Sequence, residues 1–329
     1  MGNHQPNHND ETTNARSSEE ILKIEYDFTS KLCDGLLRKF GNNGNNLVVS
    51  PLSIFVTLSM VMCGAEGKTL KEMMKTLSFE GDFAKIKEGT LKTFMIESVQ
   101  NIISKKDTLN LANSIYLAKS LILESDFKDL MKNSFRACLN QTDFSQGAVA
   151  AKEINDWVSE NTGDKIQNLV GPSSINANTM MILVNAITFF GVWKNAFDKT
   201  NTTEYHQFYT TNGAIIGVPL MSQSYIEIPY GQDDGYKWVN LPYKTPGFSM
   251  TLVIPQTPSS SVSTQTDTKF NEWFIKRLSK KSNVKFPTST QKITSLVVPR
   301  FEISFSSSLN EILTQEPFIK FGVSLSRNT

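Results

Sequence analysis

The stretch "NLVVSPLSIFVTLSMVMCGAEGKTLKEM", residues 46–73, decides how the rest of the sequence is interpreted. Its apolar run from Leu52 to Cys63 is long enough for a buried helix, although alternation alone would also allow a strand. Ser50 and Pro51 precede this run as a typical N-cap and first helical residue. Gly64 follows it, as glycine commonly does at the end of a helix. We therefore predict a helix that begins after Ser50 and a second short helix over "KTLKEMMKTL".

The tripeptide "GKT" at 67–69 has the form of the end of a phosphate-binding loop. In such a loop four residues separate the two glycines, so that successive backbone N–H groups wrap the phosphates. Here only two residues separate Gly64 from Gly67, and a short strand does not precede them. We interpret the two glycines as a tight corner between two helices.

Composition excludes several classes of function. The chain has 329 residues, enough for one large domain or two ordinary ones with a substantial core. Lys and Arg number 33 against 32 Asp and Glu, so the net charge of +1 indicates no nucleic-acid or membrane-surface partner. No apolar run approaches membrane-spanning length.

The N-terminal segment, residues 1–20, is polar and has almost no large apolar side chains. It lacks the apolar core of a secretory signal, which favours a cytoplasmic location. We predict a disordered lead-in over 1–20 and one domain over 21–329.

Cysteines and glycosylation sequons favour different compartments. The three cysteines lack the paired spacing of disulfide or zinc sites, so we expect free thiols in a reducing compartment: Cys33, Cys63 and Cys138. Asn140 and Asn201 each begin an Asn-X-Thr sequon, which is usable only in an exported chain. The sequence alone leaves the compartment open.

Hydrophobic periodicity predicts an α+β domain with helices around a large sheet. Helical patterns cover 21–40, 83–104, 124–137, 148–161 and 269–281. Strand patterns cover 109–120, 179–193, several short segments within 204–255, and 292–305, with Pro299 marking an edge or bulge. The apolar run at 179–193 favours a strand that is buried on both faces.

The residues for catalysis are scarce. Of three histidines, only His206 lies outside the predicted lead-in, and no G-x-S-x-G elbow occurs. His206 has no ligand-type neighbours at metal-binding spacing, and Asp233-Asp234 lies in a Gly-bounded turn that we expect to be solvated. We predict that the protein is not an enzyme and has no catalytic residue, metal site or cofactor.

Two groups of basic residues are candidates for a polyanion site. The first lies at the end of a predicted helix, where cations are favourable without any ligand, and Glu88 interrupts the second. We expect both groups to be solvated helix faces, so polyanion binding is not predicted: Lys276, Arg277, Lys280 and Lys281, and Lys85, Lys87 and Lys92.

The ordered motifs resemble those of the serpin family. Residues 46–73 are similar to the family pattern N-x-x-x-S-P-x-S-I…G-A-x-G-x-T-x-x-E-M. Further matches follow in the family's order: "LANSIYL", "INDWVSENTGDKI", "LVNAITFFGVWKNAF", "VPLM", "NLPYKTPGFSMTLVIP" and "VPRFEIS". The resemblance runs from about residue 21 to 313, although Thr188 and Phe190 replace the usual Tyr and Lys.

This resemblance implies a single domain that traps proteases, with multiple helices around three sheets: a large mixed sheet and smaller β-sheets. A serine or cysteine protease cleaves an exposed loop and forms an acyl-enzyme, and the loop then inserts as a new strand in the main sheet. The family's roles carry over to Ser50, Ser53 and Asn185, the "shutter" beneath the opening point of the sheet. They also carry over to Trp193, at the "breach" where insertion begins.

The main departure follows "LNEIL", where the sequence reads "TQEPFIKFGVSLSRNT". We find no E-E-G-T-x-A-type hinge, scissile bond or final apolar strands, and expect a serpin-like domain that is incomplete at its C-terminus. The predicted function is a serine-type endopeptidase inhibitor by resemblance, whose protease partner requires a full-length form. The alternative is a non-inhibitory binding or decoy protein on a truncated scaffold.

Overall fold

The structure is a computed structural model, and its described residues cover most of the chain: 8–41, 46–96, 108–210, 214–233, 235–256, 264–278, 286, 289–303, 305 and 310–313. The α-helices in chain order are α1 (His8–Phe40), α2 (Pro51–Cys63), α3 (Gly67–Thr76), α4 (Phe83–Lys85), α5 (Lys92–Phe94), α6 (Ser125–Asn133), α7 (Gly147–Thr162), α8 (Thr264–Leu278) and α9 (Asn310–Leu313). A π-helical stretch, Ile86–Leu91, joins α4 to α5.

Eight strands form two sheets in the described part of the chain: β1 (Leu109–Ala118), β2 (Ala137–Thr142), β3 (Met181–Phe189), β4 (Thr202–Tyr209), β5 (Ile215–Asp233), β6 (Tyr236–Pro242), β7 (Ser249–Pro255) and β8 (Ser289–Pro299). The first sheet has the order β2-β1-β3, with β1 parallel to β2 and antiparallel to β3. The second has the order β4-β5-β6-β7, and β8 also pairs with β5. Helices with two sheets confirm the predicted α+β class.

The chain divides into two compact units. The first comprises 1–32, 50–189 and 308–329, and contains the three-stranded sheet. Helix α7 packs on one face of this sheet, where Ile154 and Val158 meet Tyr116 and Val184. Helix α2 contacts β3 through residues of the opposite parity, so it covers the other face.

The second unit comprises 33–49 and 190–307, and contains the five-stranded sheet. Its apolar core is formed by side chains of the sheet, with Ile228 of β5, Leu241 of β6 and Leu296 of β8 among the buried residues. Aromatic side chains of β6 and α8 form a second cluster in this unit, described below.

Several local predictions are confirmed. Helix α2 begins directly after Ser50 and ends at Cys63, and α3 follows the two-glycine corner. Strand β1 spans Leu109–Ala118, and its alternate residues Leu109, Leu111 and Ile115 are buried. Helix α7 spans Gly147–Thr162 and ends at Gly163 in the left-handed conformation, as a C-terminal glycine should.

Other predictions differ from the structure. Residues 8–20, predicted as a disordered lead-in, continue helix α1, because adding turns to a helix that is already nucleated costs little. Residues 1–7 lie outside the described residues. The helix predicted over 124–137 ends at Asn133, since Arg136 has a φ of +49° and the chain turns into β2.

Two strand predictions also require correction. Strand β3, predicted to be buried on both faces, has only Val184 and Ala186 buried, because it pairs along one edge only among the described residues. Strand β8 ends at Pro299 and does not continue to 305, since proline lacks the N–H group that a ladder requires.

Candidate functional site

Helix α2 begins with two of the predicted site residues. Ser50 is the N-cap in an extended conformation, and its hydroxyl accepts a hydrogen bond from the Ser53 backbone N–H at 3.3 Å. The side chain of Ser53 is thereby placed one turn into the helix, on the side that packs against β3. A local rule of helix capping therefore positions the first polar group of the site.

Ser53 begins a chain of side-chain hydrogen bonds that crosses the three-stranded sheet. Its hydroxyl donates to Asn185 Oδ1 on β3. Asn185 Nδ2 donates to Asn113 Oδ1 on β1 at 2.6 Å, and Asn113 Nδ2 donates to the backbone carbonyl of Phe135 at 3.0 Å. We call these four groups the amide network: the side chains of Ser53, Asn185 and Asn113, and the Phe135 carbonyl.

The register of the sheet explains the network. Asn113 and Asn185 are direct partners across the antiparallel β1–β3 pair, so their side chains lie on the same face. Asn113 is only 3% exposed and Ser53 only 9% exposed, so water could hardly replace the hydrogen bonds that these side chains make with their neighbours in the network. The amide network therefore ties α2, β3 and β1 together.

Sequence reasoning missed Asn113, although a signal was present. In "LNLANSIYL" the apolar residues Leu109, Leu111 and Ile115 alternate on one face of β1, and Asn113 occupies the same face. A polar residue at a buried position of an alternating strand requires a partner. That requirement alone could have identified Asn113 as a candidate.

The opposite face of the same sheet carries a second polar group, beneath helix α7. Asn140 Nδ2 on β2 donates to the hydroxyl of Ser114, which is fully buried, at 2.8 Å. Burial raises the pKa of Tyr116 to about 12, partly offset by its hydrogen bond with Ser114. Thr142 donates from its hydroxyl to Glu153 on α7 at 2.8 Å.

The amide network contains only neutral groups, so it offers neither an acid, a base nor a nucleophile of lowered pKa. It offers geometry, because each hydrogen bond is directional and each member has a partner. Among the described residues, β3 pairs with β1 along one edge and with no strand along the other. The network thus anchors a strand that, as far as the described residues show, pairs along one edge only.

Trp193, the remaining predicted site residue, lies in the second unit. Its ring stacks on Tyr243 with centroids 4.4 Å apart and planes inclined by 12°. Lys194 N–H donates to the Pro242 carbonyl at 2.9 Å, and Lys244 N–H donates to the Val192 carbonyl at 2.7 Å. Trp193 also packs against the apolar core of this unit. The structure therefore brings Ser50, Ser53 and Asn185 together in the first unit, whereas Trp193 lies in the second unit.

One member of the first basic group, Arg277, does not lie on a solvated face as the sequence predicts. Arg277 on α8 forms an ion pair with Asp233 and is 15% exposed. Its guanidinium lies 4.7 Å from the ring centroid of Trp238, 5.1 Å from that of Trp273 and 5.8 Å from that of Phe286. Burial lowers the pKa of Arg277. We call these five side chains the arginine cluster.

Asp233 was also predicted to be solvated, and it instead accepts hydrogen bonds inside this cluster. Trp273 Nε1 donates to its Oδ1 at 3.2 Å, while Arg277 occupies Oδ2. The composition of the turn around Asp233 does not predict these bonds, because both partners come from helix α8, about 40 residues later. Lys280, Lys281 and Asp234 lie outside the described residues.

The other candidates have simpler settings. His206 is exposed on β4, and its ring nitrogen Nδ1 lies 3.1 Å from the carbonyl of Gln207. Within the described ranges, no three His, Cys, Asp or Glu side chains are grouped closely enough to hold a metal ion. The helices in that same part of the chain include none that is both long and apolar enough to cross a membrane.

A sequence model of the family described as "Serpin (serine protease inhibitor)" matches residues 25–317. Antichymotrypsin-2 of Bombyx mori is 29% identical over 297 residues, which cover 89% of this chain and 75% of that protein. Human neuroserpin is 31% identical over 228 residues, which cover 66% of this chain and 54% of neuroserpin.

The fold leads to the same family. The structure of ovalbumin from emu (Dromaius novaehollandiae) matches with a TM-score of 0.75 and 25% identity, covering 89% of this chain and 76% of that one. The family is described as one of serine protease inhibitors, which are not enzymes. The resemblance drawn from the motifs is confirmed: this chain belongs to the serpin family of serine protease inhibitors.

Proposed function

We propose that the protein inhibits a serine-type endopeptidase by the trap mechanism of its family, with a serine or cysteine protease as its partner. In that mechanism the inhibitor accepts its own cleaved loop as an added strand of a sheet. The described residues would supply the receiving body of the trap. The observation that carries the proposal is that β3 is anchored by the amide network on one side and has an edge without a described strand on the other.

Within this proposal Ser50, Ser53 and Asn185 form the shutter, and Asn113 acts with them. An added strand along the second edge of β3 would leave the β1–β3 pair intact, so the hydrogen bond between Asn113 and Asn185 would move with the sheet. The hydrogen bond of Ser53 to Asn185 joins the sheet to helix α2, and a movement of β3 over α2 would strain it. Trp193 is assigned to the breach because it lies in the matching family motif. Its stacking on Tyr243 is compatible with that role.

A second candidate is a binding or decoy protein that associates with a protease reversibly. The sequence favours it for a protein made of these 329 residues alone, because no run of the E-E-G-T-x-A hinge form occurs in them. The two candidates differ in one product, since only the trap retains a covalent acyl-enzyme.

Incubation with a panel of trypsin-like, chymotrypsin-like and papain-like proteases tests both candidates. The trap predicts an adduct that survives SDS gel electrophoresis, and the same protease with a chemically blocked nucleophile is the matched control that forms none. Reversible association without an adduct would favour the decoy, and no association with any protease would contradict both.

The intact mass of the protein from its own cells should be measured alongside. A mass above the 36.8 kDa of the printed sequence by several dozen residues would support the trap, because the hinge and loop could then be present. A mass near 36.8 kDa would support the decoy.

A further inference from the structure

The two glycosylation sequons look alike in the sequence, but the fold treats them differently. The acceptor nitrogen of Asn140 already donates to the buried hydroxyl of Ser114 at 2.8 Å. The sequon's Thr142 is 5% exposed, and its hydroxyl donates to Glu153 at 2.8 Å. A glycan on Asn140 would replace one of the two N–H groups of a half-buried amide that already donates to Ser114, so the folded state disfavours modification of the first sequon.

The second sequon lies at an exposed corner of the other unit. Asn201 is the last residue of a 3-10 turn, Lys199–Asn201, that leads directly into β4. The turn is held by Asp198, which accepts from the Thr200 backbone N–H at 2.9 Å and from the Thr200 hydroxyl at 2.8 Å. The corner is therefore a defined turn, and it presents its last residue outward.

The backbone of Asn201 is held while its side chain remains unused. Its N–H donates to the Asp198 carbonyl at 3.1 Å, and its own carbonyl accepts from the Ser222 hydroxyl at 2.8 Å. The side-chain amide of Asn201 is exposed and makes no hydrogen bond with the described residues. An acceptor nitrogen in this state can be modified without cost to the fold.

The rest of this sequon is equally accessible. Thr203 is exposed on β4, and β4 pairs with β5 along only one edge within the described part of the chain. The strand beyond it exposes large aromatic side chains, with Tyr205 72%, Phe208 41% and Tyr209 69% exposed. An exposed apolar edge strand is a site of aggregation unless something covers it.

We propose that in an exported chain Asn201 is the N-glycan acceptor, that Asn140 is not, and that the glycan covers the exposed edge at β4. Asn201 Nδ2 would displace the pyrophosphate of a lipid-linked oligosaccharide, forming an N–C bond and breaking a C–O bond. The lipid pyrophosphate leaves, and the amide proton passes to a base of the transferase. The proposal is independent of the inhibitory function.

The acceptor is tested by producing the full chain in insect cells behind an added secretory signal, and by comparing gel mobility before and after enzymatic removal of N-glycans. The wild-type chain and Asn140→Gln should each lose one glycan, whereas Asn201→Gln should lose none. Thr203→Ala is a second variant, which keeps Asn201 itself and should also lose none. A glycan on Asn201→Gln, or none on the wild type, would overturn the assignment.

The covering role is tested on the folded, glycosylated protein by light scattering before and after glycan removal. Removal should increase self-association, and Tyr209→Ser in the deglycosylated protein should reduce it again. Equal scattering in the two forms would overturn the covering role.

Discussion

The amide network of the first unit and the arginine cluster of the second solve the same problem in opposite ways. Both place polar groups where water has little access. The amide network uses neutral groups, each paired in a linear series from Ser53 to the Phe135 carbonyl. The arginine cluster uses a full charge, compensated by Asp233 and by the faces of Trp238 and Trp273.

The difference teaches what each cluster can do. Neutral amides cost less to bury than a charge, and their directional bonds define the positions of the helix and strands that carry them. A charge tolerates more geometric freedom, but its contribution depends on salt and on partial exposure. The amide network therefore suits a place where strands must hold one register, and the arginine cluster suits the anchoring of a helix.

Removing Asn113 should have the largest effect. Asn113→Ala leaves both Asn185 Nδ2 and the Phe135 carbonyl without a partner in a buried place, and each unpaired group costs about 1–3 kcal/mol. We expect the free energy of unfolding to fall by about 3 kcal/mol in urea titrations, from the combined loss of the two bonds.

Asn110→Ala is the matched control for this loss. Asn110 lies on the same strand and donates to the Asn161 carbonyl at 2.7 Å, but it is only half-buried. It should cost about 1 kcal/mol, because water can replace the lost donor. Equal losses in the two variants would show that the network contributes no more than any other hydrogen bond.

Arg277→Met tests how much the charge of the arginine cluster contributes to stability. It keeps an apolar side chain of comparable length but removes the ion pair with Asp233 and the cation–π contacts, for an expected loss of about 2 kcal/mol. Arg277→Lys should lose about half of that, since it keeps the charge but not the planar stack.

Salt separates the two clusters further. The cost of Arg277→Met should shrink in about 1 M NaCl, where the Debye length is about 3 Å, and the cost of Asn113→Ala should not change. The measurement is the free energy of unfolding at two salt concentrations. A salt-independent cost at Arg277 would mean that ring packing, and not charge, stabilises the arginine cluster.

Thr76 provides a buried polar group that belongs to neither cluster. Thr76 is 2% exposed, and its hydroxyl has no hydrogen-bond partner among the described residues. Thr76→Val keeps the shape and removes the unpaired hydroxyl, so it should raise the free energy of unfolding by about 1 kcal/mol. A fall in stability would show that the Thr76 hydroxyl is hydrogen-bonded in the folded protein.

The smallest effect at neutral pH is that of Tyr116, because the tyrosine is uncharged in both states below its unfolded pKa of 10.0. Burial raises the folded pKa to about 12, so the unfolded chain loses its proton first as the pH rises. Stability should therefore fall between about pH 10 and pH 12. Tyr116→Phe should show a flatter alkaline decline in the unfolding free energy, and an identical decline would contradict the assignment.

Sequence reasoning succeeded where one short segment controls the outcome. The cap at Ser50 and the alternation of β1 depend on neighbours within a few residues, so their elements were predicted correctly. The lead-in was predicted to be disordered from its composition, but helix α1 extends into it, because composition does not include the stabilising effect of an adjoining helix.

The site was predicted only in part for a similar reason. Family motifs indicated Ser53 and Asn185, yet their hydrogen bond joins residues 132 positions apart. The alternation of β1 marks Asn113 as a buried polar residue, but it does not say which side chain Asn113 contacts. Arg277 was misjudged as solvated because Lys276 and Arg277 together are typical of a helix end. Its aromatic partner on β6 is visible only after folding.

By itself, the sequence determined where α2 begins, which strand alternates, and the family to which the chain belongs. Tertiary structure decided which polar groups are paired. The amide of Asn140 donates to Ser114, whereas the amide of Asn201, which begins the same Asn-X-Thr motif, stays exposed. The physical reason is that hydrogen-bond partners and burial come from distant segments that only packing brings together.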